Sequence, residues 1–201
     1  MGGYPATELG RRAPAPGELG IVQRFLNSVD IESGDDALAT TERASRWLRE
    51  HGLSAAGPLD EGDRVRLVAF REALRDVLDA RSGPASGDTR GGEAELALAR
   101  LARGAPLVVD FGPDAGARLE PAGSGVEAIV GRILAAIVAS TADGTWARLK
   151  ICRNDACRWS FYDASRNRSG HWCSMAICGN RMKGRAFRLR RGWPSDEVPA
   201  L

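Results

Sequence analysis

The chain carries 201 residues, 43% of them apolar, and its 28 basic and 26 acidic side chains leave a net charge of only +2. That apolar share supports a real core, in one large domain or in a medium domain with an appendage. The longest apolar run, Ile133 to Ala139, follows Arg132 and is too short to cross a bilayer, and Met1 to Gly20 lacks the apolar stretch of a secretion signal, so no membrane contact and a cytoplasmic location are expected.

Residues 1–17, broken repeatedly by glycine and proline, are expected to form a mobile tail. Leu19, Val22, Phe25, Leu26 and Val29 then recur at helical spacing and predict a first amphipathic helix of about thirteen residues from Glu18. Ser33-Gly34-Asp35-Asp36 reads as a turn with cap oxygens, ahead of a helix from Thr41 to His51 that puts Ala44, Trp47 and Leu48 on one face and stops at Gly52. A third helix, from Glu61 to Arg81, carries two apolar stripes, Val65, Val68 and Val77 on one and Leu67, Phe70, Leu74 and Leu78 on the other, and should be central.

Ser82 to Gly92 reads as a flexible connection and Glu93 to Arg103 as a fourth helix, with Leu96, Leu98 and Leu101. Leu107 to Phe111, turned by Gly112 to Gly116 toward Ala117 to Glu120, predicts a small β-hairpin. Val126 to Ala142 predicts a long, broadly buried helix. Residues 18–142 contain no nucleophile elbow, phosphate loop or dinucleotide fingerprint, and no enzyme is expected. Should this part bind a small molecule, the pocket is expected where Asn27, Trp47 and Arg71 can converge.

The four cysteines all fall late, as Cys152 with Cys157 and Cys173 with Cys178. Two close pairs joined by a short polar loop supply the four thiolates that a tetrahedral Zn2+ takes at about 2.3 Å each. Two disulfides are the alternative, and they need an oxidising compartment that the N-terminus does not announce. Cys173 should lie just outside a helix, with Ser174 as its cap and Cys178 in an early turn, while Arg158 to Asp163 forms a strand whose Trp159, Phe161 and Tyr162 cover the metal. Backbone N–H groups and Asn180 are the expected donors to the thiolates.

Charge sets this stretch apart. Lys150 to Arg191 holds eleven bases against Asp155 and Asp163, a local charge of +9, while the rest of the chain carries 17 bases and 24 acids, or −7. Such segregation is the electrostatic footprint of a nucleic-acid-binding module attached to an acidic domain. Arg181, Arg185 and Arg188 form one stripe of the last helix, with Lys183 and Arg190 expected at its flank, and Arg166 and Arg168 lie in the preceding loop. These seven are the candidate DNA contacts.

Trp159-Ser160-Phe161-Tyr162-Asp163, Ser165 to Ser169, Trp172-Cys173-Ser174-Met175 and Cys178-Gly179-Asn180-Arg181 together resemble the CGNR zinc finger of bacterial transcription regulators. In that family the finger follows a stress-induced domain called ABATE, whose opening signature Phe25 to Val29 resembles. Gly170-His171 departs from the pattern by lacking a further basic residue before Trp172. The resemblance implies an α+β, mostly α fold: a helical N-terminal domain with a small β-hairpin over residues 18–145, then a four-cysteine, treble-clef-like finger over 146–192, and a tail over 193–201. It further implies DNA as partner, with an N-terminal domain that senses a small-molecule effector or joins two copies. A zinc finger that docks on another protein without touching DNA is the alternative.

Overall fold

A computed structural model describes residues 13–53, 57–82, 90–112 and 116–191. Helix α1 spans Leu19–Leu26 and buries Leu19, Val22, Phe25 and Leu26. It is shorter than its apolar pattern predicts, because the chain leaves the helix at Asn27 and Val29 instead pairs with Asp36 in a two-residue antiparallel ladder, β1 (Val29–Asp30) against β2 (Asp35–Asp36). Asp30 Oδ1 accepts from the N–H groups of Glu32 and Ser33 and shapes the turn between them. Of the expected tail, residues 1–12 lie outside the described residues, whereas Ala15 is buried and its N–H donates to Gln23 Oε1 at 2.7 Å.

Helix α2 (Thr41–Glu50) is capped by Thr40, whose Oγ1 accepts from Arg43 N, and not by the upstream Ser33 to Asp36 turn. Its Ala44 and Leu48 enter the core, and Trp47 packs against the core's edge. Helix α3 (Glu61–Ser82) is the central element, packing on α1, on α5 and on strand β5 described below. Only one of its two expected stripes is buried: Leu67, Phe70, Leu74 and Leu78 are inaccessible, while Val65 is 51% exposed. The other buried positions on this helix include Arg71 and Arg75, which reach polar partners inside the fold.

The expected connection from Ser82 falls mostly on residues outside the described set, but Gly91 and Gly92 belong to the first turn of α4 (Arg90–Ala102). β3 (Leu107–Phe111) and β4 (Ala117–Pro121) form the expected antiparallel hairpin, with Val109 opposite Leu119. Helix α5 (Gly125–Ala142) follows, and among the described residues it alone is long and apolar enough to cross a membrane. Its Val126, Ile129, Val130, Ile133 and Ala136 instead enter the protein core, while Val138 stays half exposed.

A 3-10 turn at Trp146–Arg148 leads into β5 (Leu149–Ile151), which pairs antiparallel with β6 (Ser160–Tyr162). The expected strand from Arg158 is shortened because Arg158 takes a left-handed conformation, φ 44°. Leu149 and Ile151 belong to the same apolar core as α1, α3 and α5, so the first strand of the cysteine-bearing module is also part of the helical domain. The four cysteines form a second, smaller core with Phe161, walled by Trp159, Trp172 and Ile177. Tyr162, one residue on from Phe161 and so on the opposite strand face, packs on the larger core instead.

Candidate metal centre and nucleic-acid interface

Cys152 and Cys157 sit on the turn between β5 and β6, and Cys173 and Cys178 flank the start of the last helical segment. All four are buried and unbridged, and their Sγ atoms lie within 4.8 Å of one another. Cys157 and Cys173 are 3.6 Å apart and Cys173 and Cys178 3.7 Å. A tetrahedron with metal–sulfur bonds of about 2.3 Å has edges of about 3.8 Å, so the separations fit one four-coordinate ion. Packed so closely, the thiols oppose one another's ionisation: bonding to Cys152 pushes the thiols of Cys157 and Cys173 up, while Cys152, accepting from both, is held down. Only a central cation lets all four become thiolates.

The local backbone explains the spacing. After Ser174, whose Oγ accepts from Ile177 N, the chain takes a π turn over Met175–Gly179, closed by a Gly179 N to Ser174 O bond of 3.0 Å, before α6 (Asn180–Arg190) begins. Five residues of α-helix would set Cys173 and Cys178 about 140° apart, and the wider turn brings Cys178 round to the cluster. A Cβ at Gly179 would meet Met175 Sδ at 2.5 Å, the end of an exposed and flexible side chain that can move aside, and Trp172 Cδ1 at 3.3 Å, a tight contact.

The donors around the sulfurs are partly those expected. Backbone N–H groups of Asn154 and Cys173 face Cys152, and that of Trp159 faces Cys157. The side-chain donor is Asn154, whose Nδ2 lies 3.6 Å from Cys178 Sγ. Asn180 instead donates to Ala176 O at 3.1 Å. Sequence reading passed over Asn154, although its place inside the first cysteine pair was a usable signal.

The loop from Asp163 to Gly170 is built around one buried ion pair. Lys150 Nζ meets Asp163 Oδ2 at 2.7 Å and also donates to the carbonyls of Arg168 and Gly170, while Asp163 accepts from Ser165 N, Ser165 Oγ and Gly170 N. Burial opposes ionisation of Asp163, but the Lys150 ammonium and these hydrogen bonds outweigh it and hold the carboxyl well below the usual carboxylate range. Gly170 lies against this carboxylate, where a Cβ would come within 2.9 Å of Asp163 Cγ. Arg166 and Arg168 are thereby displayed on a braced, exposed loop.

Helix α6 has no buried residue and makes its main packing contact with its own preceding π turn. Arg181, at its start, pairs with Glu32 at 2.6 Å. Lys183, Arg185, Arg188 and Arg190 have no ion-pair partner among the described residues and are exposed. At about 100° per residue, Arg181, Arg185 and Arg188 share one face, but Lys183 and Arg190 project from the opposite side and not from its flank.

Polar contacts join the finger to the helical domain. Asn27 meets Ser160 as a strand would, its Oδ1 accepting from Ser160 N at 2.8 Å and its Nδ2 donating to Ser160 O at 2.9 Å. Arg75, 1% exposed, donates to Arg158 O at 2.7 Å and to Leu26 O. Arg158 in turn pairs with Asp76 and Asp79, and Arg153 donates to Ser82 O. Of the three residues expected at a ligand pocket, Asn27 and Trp47 line one cleft of about 590 Å³ between β1–β2, α2 and the finger. Arg71 does not line it; its guanidinium is buried against Asp36, Ser28 Oγ and Glu72.

Two family profiles match in the same order as these two parts. Residues 20–144 match ABATE, described as "Putative stress-induced transcription regulator", and residues 148–191 match the CGNR zinc finger. The chain belongs to the ABATE family. The match to a zinc finger and the close cluster of Cys152, Cys157, Cys173 and Cys178 agree, the four sulfurs forming a group that could hold one zinc ion. The glycine and arginine of the CGNR motif have the separate tasks described above, Gly179 at the π turn and Arg181 at Glu32. No curated protein matches the chain.

Proposed function

We propose that this ABATE protein is a cytoplasmic bacterial transcription regulator that binds DNA through its CGNR finger, with zinc in a structural and not a catalytic role. The observation that carries the reading is α6: a basic helix with no buried residue, whose one ion pair to the acidic helical domain among the described residues is Arg181–Glu32. Arg181, Arg185 and Arg188 present one face to a major groove and Arg166 and Arg168 contact phosphates, while Lys183 and Arg190, on the far side of α6, add positive field without facing the groove. The helical domain supplies the regulatory half, sensing an effector or joining two copies. The four-cysteine shell leaves no open position at the metal, which argues against an enzyme.

Selection of bound DNA by the intact zinc-loaded protein, followed by a salt titration on the selected site, tests this. Each neutralised phosphate contributes about −0.9 to the slope of log K against log salt, so five or six contacts give a slope of roughly −5. Truncation after Ile151, which keeps Leu149 and Ile151 in the core, abolishes binding. A protein that is folded and zinc-loaded yet binds no DNA at low salt would favour the second reading, a protein-docking finger. That reading draws on Phe187 and Leu189, which stand 47% and 59% exposed on α6.

A further inference from the structure

The cleft between the helical domain and the finger has the volume of a ligand site, about 590 Å³ against roughly 300–1,000 Å³ for small-molecule pockets. Its walls have two characters. Trp47 and Trp159 supply indole surface, and the β1–β2 turn supplies the carboxylates of Asp30, Glu32 and Asp35. The cation in the lining is Arg181, which lies on Glu32, with Arg43 behind the wall on Asp35. Negative charge is thus in excess beside indole surface, one face of Trp47 being already stacked on His51 with ring centroids 4.0 Å apart, and aromatic surface of this kind attracts cations. The Arg181–Glu32 pair is half exposed on both sides, the kind of contact that contributes little and exchanges readily.

We propose that this cleft binds a small organic cation, an ammonium or guanidinium on an apolar body, which seats its body on the indoles and takes the Glu32 carboxylate from Arg181. The cleft is lined by the helical domain on one side and by the start of α6 on the other, so the ligand acts where the two meet. Arg181 is the resident competitor for that carboxylate, and its release alters the first basic residue of α6. The inference deepens the effector half of the proposed function, and binding is read without DNA, so a failure of DNA binding and a failure of this site give separate results.

Calorimetric titration of the full-length, zinc-loaded protein with phenethylamine, benzylguanidine, the neutral phenethyl alcohol and the anionic phenylacetate tests it. Saturable binding of one or both cations is expected, with the alcohol at least tenfold weaker and no heat from phenylacetate. Glu32→Gln lowers affinity for the cation about tenfold, while Arg181→Gln raises it severalfold by removing the competitor, both at unchanged zinc content and melting temperature. Equal binding of the neutral or anionic probe, no saturable heat from either cation, or loss of affinity in Arg181→Gln would overturn the proposal.

Discussion

Asn154 and Asp163 each hold a piece of the finger by side-chain bonds that a single substitution removes. Asn154 is buried and is the one side-chain amide found against a thiol sulfur among the described residues. Donors of this kind tune metal affinity, so Asn154→Ala weakens zinc binding about 10- to 100-fold, measured by competition with a chromophoric chelator. Asp163→Asn breaks the buried pair with Lys150 and loosens the Arg166 loop, costing about 2–4 kcal/mol in chemical denaturation at pH 7. The folded pKa of Asp163 lies below its unfolded value, so its contribution is fully present above the unfolded pKa and is lost as pH falls through the folded one. The stability difference between wild type and Asp163→Asn is therefore flat from pH 5 to 8 and starts to close only below about pH 4.

At the level of elements, local pattern served where apolar spacing or a turn signal alone fixes the segment. The β3–β4 hairpin, α5 and the apolar Leu67, Phe70, Leu74, Leu78 stripe of α3 could all be read from spacing. It failed where a distant polar partner decides. Helix α1 stops at Asn27, whose amide belongs to Ser160, 133 residues on, and α3 buries Arg71 and Arg75 because Asp36 and the Arg158 carbonyl wait for them inside. The cysteine cluster was legible because its chemistry needs four sulfurs and the chain has four, but the π turn that aligns Cys178 was not, since a spacing of five gives no sign of how the turn widens. Asn27→Ala leaves the buried N–H of Ser160 without its partner and its C=O with only the long Gln23 Nε2 contact at 3.5 Å, and lowers stability by about 1–3 kcal/mol, with faster exchange of the Ser160 amide as its signature. On α6, Arg185→Ala costs on the order of 1–3 kcal/mol on a selected DNA site and relaxes preference, whereas Arg168→Ala on the preceding loop weakens all sequences alike.

For the whole molecule, removal of zinc should divide the chain unevenly. The smaller core contains only the cysteines and Phe161 with three partly buried neighbours, too little to hold without the metal, whereas α1, α3, α5 and β5 share a core that does not involve it. Chelation, or Cys178→Ser, therefore exposes residues 153–191 to protease while residues 13–151 persist as a folded fragment, checked by limited proteolysis with mass spectrometry. Readdition of zinc restores protection after chelation and fails to do so in the variant.

Leu149 and Ile151 carry a consequence for how such proteins can be rearranged. A finger whose first strand is another domain's core is not a bead that recombination can move from one gene to another. Cut before Leu149, it would travel with two bare aliphatic side chains and leave a hole against α3; cut after Ile151, it would lose the strand that pairs with β6. A unit that could move intact would have to keep α3 and β5 together, finger and helical domain as a single piece.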